Sequence, residues 1–198
     1  TVELFGKNAT VPFINGCDNS YHPCQILADA LTILEKFGTL DVNLMYIGAK
    51  NNVFNSHVEF FSKMKKGTLY GLTPLVNETA CGPDFYEEAK KSGHYIELDP
   101  AMSMEEAKEY ANKMDVLYTD TWVDMEFFNN PAYQKQKEET LAKMMPYQLN
   151  GDFTKDSKAI VFHDMPMHVG FEISQDVVDK NLDHILDEAE NRRHAEKA

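Results

Sequence analysis

The residues of this chain best suited to chemistry are amides, carboxylates and histidines that stand just after short apolar runs. Asn51 and Asn52 follow the run 42–47, Asp120 and Asp124 follow 116–119, and His163, Asp164 and Met165 follow 159–162. In open α/β sheets, ligands gather beyond the carboxyl ends of the strands. A pocket lined there by Asp120, Asp124 and Asp164 would favour a cation, such as an amine or an amino acid with a basic side chain. Asn52 adds an amide able to hold a carboxylate or an amino group. On composition alone the plainer role for such aspartates, capping the helix that follows, stands beside this one.

These residues need strands to carry them. Runs 42–47, 68–72, 94–98, 116–119 and 159–162 are apolar almost throughout, as expected of parallel strands buried on both faces. Between them lie helical stretches. Residues 51–66 place Val53, Val58, Phe61 and Met64 at helical spacing, with Gly67 as a stop. Another helix opens after Pro83 over 84–92. A third starts at Ser103, where Ser-Met-Glu-Glu forms a capping box. Residues 133–144 read as an amphipathic helix. Residues 22–37 form a long helix with Pro23 in its first turn, and a last helix begins at Asp187. Strands alternating with helices predict an α/β fold: a doubly wound, mainly parallel sheet with helices on both faces.

The chain has 198 residues, enough for one sizeable core. Its net charge of −13 argues against a nucleic-acid partner. A phosphorylated ligand would need local cations or helix N-termini to overcome that field, and neither common glycine-rich phosphate loop is present. No apolar run approaches the roughly 20 residues of a membrane helix. The opening residues lack a signal-peptide pattern. Cys17, Cys24 and Cys81 suit a reduced, cytoplasmic setting. His163, Asp164 and His168 have no metal-site spacing, so neither metal nor cofactor is expected.

Five ordered blocks span nearly the whole chain: His22-Pro23-Cys24-Gln25, Asn51-Asn52-Val53-Phe54-Asn55-Ser56, Asp120-Thr121-Trp122-Val123-Asp124-Met125, His163-Asp164-Met165-Pro166, and Glu190-Asn191-Arg192. Together they resemble the amino-acid-binding half of the ornithine carbamoyltransferases. The resemblance implies the second domain of a carbamoyltransferase, which moves a carbamoyl group from carbamoyl phosphate to ornithine and yields citrulline. It assigns the carbamoyl phosphate to His22, Gln25 and Arg192. The amino acid falls to Asn52, Asp120, Asp124, Met125 and Met165, with Asp120 and Asp164 beside the reacting amine. It also implies three segments: 1–37 as the tail of a carbamoyl-phosphate domain with a bridging helix, 38–186 as the amino-acid-binding domain, and 187–198 as the start of a helix returning to the first domain. The expected assembly is a homotrimer, or a hetero-oligomer with a carbamoyl-phosphate-binding subunit.

Departures from the family pattern carry information too. The Ser-Thr-Arg-Thr phosphate loop is absent from these residues. Asp164 stands where the family has Cys, Asp124 where it has Ser, and Glu126 where it has Gly. Each added carboxylate stabilises a protonated amine and hinders its deprotonation. Two alternatives therefore stay open: a different amine, such as putrescine, or a non-catalytic binding or regulatory subunit.

Overall fold

The computed structural model describes residues 2–123 and 125–198. Asp124 lies outside them, as do the side chains of Met125 and Glu126. A short helix α1 (Val2–Asn8) and a loop lead into α2 (Pro23–Phe37). There follow β1 (Asn43–Lys50), α3 (Asn52–Met64), β2 (Thr68–Val76), α4 (Pro83–Lys90), β3 (Tyr95–Glu97), α5 (Met104–Ala111) and β4 (Val116–Thr119). Beyond β4 come α6 (Met125–Phe128), α7 (Gln134–Met144), α8 (Gly151–Thr154), β5 (Ile160–His163) and α9 (Gln175–Lys197).

The strands form one sheet in the order β3-β2-β1-β4-β5, parallel at every pairing. The apolar runs explain why. Along β1, Leu44 and Tyr46 face one layer with Val53, Phe54, Val58, Tyr86 and Tyr118, while Met45 and Ile47 face the other with Leu72, Ala107, Leu117, Val161 and Val177. Alternation across a strand gives both faces a core, so every position must be apolar. The chain leaves β1 towards β2 on one side and enters β4 on the other. This places a topological switch point at the carboxyl ends of β1 and β4.

Local signals act as expected at several ends. Ser103 and Glu106 form the reciprocal capping box of α5. Gly67 takes φ +65° between α3 and β2, where a Cβ would lie 2.2 Å from the Val42 carbonyl oxygen. Only glycine fits that close approach.

The last helix departs from expectation. It starts at Gln175, not Asp187, and runs 23 residues. Its first half buries Val177, Val178 and Ile185 against the sheet. Its second half meets α2 through polar pairs: Lys36 with Asp187, and Asn191 Nδ2 donating to Thr32 Oγ1 at 3.0 Å and to Glu35 at 2.8 Å. Among the described residues no helix is long and apolar enough to cross a membrane.

Candidate functional site

The switch point is bridged by side chains. Asn51 follows β1 and caps α3, its Oδ1 accepting from the Phe54 N–H at 3.0 Å. That bond leaves its Nδ2 pointing across the gap, where it donates to Asp120 Oδ2 at 2.6 Å. Asp120, the first residue past β4, is only 4% exposed, and its other oxygen accepts from the Thr121 N–H at 2.6 Å.

Asp164 comes first after β5, and its carboxyl is hydrogen-bonded to that of Asp120. Burial, then the charge and the hydrogen bond of Asp120, hold Asp164 well above the usual carboxylate range, while Arg192 pulls the other way. Two carboxyls this close hold a proton between them more readily than two charges.

Arg192, near the end of α9, ties this pair to α2. Its Nη1 donates to the Asp164 carbonyl oxygen at 3.0 Å, and its Nη2 lies 3.1 Å from His22 Nε2. His22 is the N-cap of α2: its Nδ1 accepts from the Gln25 N–H at 3.3 Å, and its own N–H donates to Ser56 Oγ at 2.8 Å. Burial, then the adjacent Arg192, push the His22 pKa below its ordinary value. The ring is therefore neutral at neutral pH, presenting one donor and one acceptor.

Gln25 lies one turn into α2, 1% exposed. Its Nε2 donates to Asp29 Oδ1 at 2.9 Å and to Glu188 Oε1 at 2.6 Å, and the Tyr118 hydroxyl is 3.3 Å away. Its Oε1 has no hydrogen-bond partner among the described residues. A buried carbonyl oxygen left without a partner, on the residue whose backbone N–H meets the His22 ring, is an acceptor suited to a ligand N–H.

The structure therefore gathers His22, Gln25, Asp120, Asp164 and Arg192 into one row along the carboxyl ends of the strands. Asn52 is set apart from them: its Nδ2 donates to the Asp18 carbonyl at 2.9 Å and lies 3.6 Å from Cys17 Sγ, on the loop that precedes α2. That loop also approaches the row, since burial and then Asp164 raise the Cys17 thiol pKa. Met165 takes φ +51° and its peptide bond to Pro166 is cis. Its side chain packs on the core layer containing Met45 and Leu117. Asp124 and the Met125 side chain fall outside the described residues.

A cleft of about 410 Å³ opens nearby, lined by Asn19, Leu75, Thr79, Trp122, Phe127 and Lys137 among others. None of the described residues in the row lines it, but Trp122 follows Asp120 by two positions.

Some participants escaped the sequence reading. Asn51 stands beside Asn52, the residue to which the family resemblance assigns the amino acid; its place directly after the strand is the signal in the sequence that marks it. Asp29, His57 and Glu188 are fully buried beneath the row. His57 Nδ1 lies 3.0 Å from the Val53 carbonyl, which only accepts, so that nitrogen carries a proton. Its Nε2 faces Asp29 Oδ2 at 3.1 Å.

Comparison with known proteins gives a consistent picture. A family model described as the Asp/Orn binding domain of aspartate/ornithine carbamoyltransferase matches residues 40–198. The ornithine carbamoyltransferase of Archaeoglobus fulgidus is 34% identical over the whole chain, which covers 61% of that protein. That of Pyrococcus horikoshii is 37% identical, with 60% covered. Among solved structures, ornithine carbamoyltransferase from Pyrococcus furiosus superposes with a TM-score of 0.80 at 34% identity, over 99% of this chain and 60% of its own. The Thermus thermophilus enzyme does so with a TM-score of 0.76 at 29% identity, over 98% and 59%. The chain thus spans roughly three fifths of the relatives it matches.

Proposed function

Because the chain belongs to the aspartate/ornithine carbamoyltransferase family, we propose that it forms the amine-binding side of a carbamoyl transfer from carbamoyl phosphate to ornithine, giving citrulline. The single observation that carries this reading is the row from His22 through Arg192 to Asp164 and Asp120, with the Gln25 Oε1 acceptor open beside it.

In the reaction, the C–N bond forms as the carbonyl becomes an oxyanion, and the C–O bond to phosphate then breaks. His22 and Arg192 donate to the developing oxyanion, which preorganised donors stabilise most. Gln25 Oε1 accepts from the carbamoyl NH2 and fixes its plane. Arg192 also lowers the cost of placing an anion in a protein of charge −13. An alkylammonium with a pKa near ~10 must lose a proton before attack. Asp120, held by Asn51, orients that amine. The family pattern adds Asn52, Asp124, Met125 and Met165 as amino-acid-binding residues, although Asn52 bonds the Asp18 carbonyl and Met165 packs on the core layer.

Residues 38–186 act as the amino-acid-binding domain. Residues 1–37 and 187–198 bridge to a carbamoyl-phosphate-binding domain that supplies the phosphate grip, within a cytoplasmic homotrimer or a hetero-oligomer.

Asp164 favours a second reading on substrate choice. A carboxyl paired with Asp120, where the family has Cys, can give up its raised proton when a second ammonium group arrives, which suits a diamine such as putrescine. Citrulline formation, assayed with the chain joined to a carbamoyl-phosphate domain, tests both. Ornithine is the expected acceptor, and Arg192→Gln should lower kcat/KM by about 10²–10³. Unchanged kinetics in that variant would remove the assignment, and faster carbamoylation of putrescine would select the second reading.

A further inference from the structure

Gln25 has three oxygens near its Nε2 and no donor on its Oε1 among the described residues, an arrangement that something must enforce, since a carboxamide can turn over at little intrinsic cost. The polar groups packed around it show how. Glu188, on α9, is fully buried and uses its two oxygens separately. Oε1 accepts from Gln25 Nε2 at 2.6 Å and faces the Tyr118 hydroxyl at 3.4 Å. Oε2 accepts from the His163 N–H of β5 at 2.9 Å, one residue before Asp164. One carboxyl therefore joins α2, β4, β5 and α9 directly under the row.

Asp29 completes the cage, taking the second Gln25 N–H on Oδ1 while His57 Nε2 lies against Oδ2. With these acceptors around one end of the amide, the Gln25 NH2 is held among them and the buried carbonyl oxygen is left without a partner among the described residues.

We propose that Glu188 is a positioning residue: it sets the orientation of the Gln25 amide, and through the His163 N–H the place of Asp164, so that Gln25 presents only an acceptor to the carbamoyl group. This rests on the reading of Gln25 given under Proposed function, and it adds a residue that touches no substrate.

The chemistry of the replacement makes the idea testable. Burial and then Asp29 raise the Glu188 pKa well above the usual carboxylate range. A carboxyl, protonated or not, still keeps a lone pair on each oxygen, whereas the isosteric carboxamide offers one accepting oxygen and one nitrogen that only donates. In Glu188→Gln the new side chain cannot satisfy both the fixed His163 N–H and the Gln25 NH2. The rotatable partner, Gln25, then loses its unique orientation.

The Gln25 side-chain NH2 signals report this by nuclear magnetic resonance, without any need for activity. In the wild-type chain they should exchange with solvent at least about a hundredfold more slowly than free glutamine, the protection expected of buried, doubly bonded protons. Glu188→Gln should speed that exchange tenfold or more. Glu188→Asp, which keeps the carboxyl group but withdraws it by one methylene, should do the same and serves if the first variant does not fold. In the assembled enzyme, Glu188→Gln should raise KM for carbamoyl phosphate by about tenfold with kcat within a fewfold, a split that general loosening would not produce.

Unprotected Gln25 signals in the wild type overturn the proposal, as does protection unchanged in a folded variant. If the wild-type assembly makes no citrulline, the function reading fails, and the exchange experiment still decides the role of Glu188.

Discussion

Replacing His57 with Phe isolates one buried interaction. The ring stays aromatic and close in shape, so its contacts with Tyr46 and Tyr118, at 5.7 and 4.5 Å between centroids, are kept. What is lost is the proton donor against the Val53 carbonyl and the partner of Asp29 Oδ2, in a pair whose side chains are both 0% exposed. Removing the imidazole leaves the buried Val53 carbonyl and Asp29 Oδ2 with no facing ring nitrogen, a loss of about 1–3 kcal/mol. For a chain of 198 residues that corresponds to a Tm lower by about 2–7 °C.

Adding Asp29→Leu removes the stranded carboxyl group and should recover part of the loss. About 1 kcal/mol stays missing, because Gln25 Nε2 no longer has Asp29 Oδ1. Calorimetry and denaturant titration of the wild type, both single variants and the double variant close the cycle. A His57→Phe loss below about 1 kcal/mol, or a double variant as unstable as the two singles summed, would refute the reasoning.

Asp164 makes stability depend on pH in a definite direction. Its folded pKa is raised by burial and by Asp120, so the folded state holds the proton where the unfolded chain has released it. The contribution is complete below the unfolded value, near ~4, and is lost as pH rises through the raised one. Asp164→Asn should flatten that decline in Tm scans against pH, and an unaltered slope would assign it to other groups. Gly67→Ala should cost about 2–4 kcal/mol, since a Cβ would meet the Val42 carbonyl oxygen at 2.2 Å with φ at +65°. A Tm within a degree of wild type would show that the α3–β2 turn can shift.

The five strands were legible because parallel packing buries both faces, so runs such as 42–47 and 116–119 are mostly apolar, broken only by Asn43 and Thr119. The helix 51–66 and the capping box at Ser103 were equally plain. The last helix was not. Its first half carries few apolar positions, Val177, Val178 and Ile185, among Asp, Lys and Asn. Its second half contacts α2 through Glu188 and Asn191, which hydropathy reads as solvated. The same bias hid Asp29 and His57, whose burial is tolerable only because partners distant in sequence meet them. At the site, His22, Gln25, Asp120, Asp164 and Arg192 came together as one row. The choice between Asn51 and Asn52 turns on which amide is spent on the N-cap loop, a distinction that only geometry makes.

The length of α9 has a mechanical side. From its anchor at Val177 to Arg192 the helix extends about 22 Å at 1.5 Å per residue. As a rigid rod, it would convert a tilt of about 5° at that anchor into about 2 Å of travel at the guanidinium. Trimming the buried methyls of Val177 or Ile185, far from any ligand, would thus detune the cation beside His22, and repacking that remote end offers a handle on turnover that leaves every group in the row untouched.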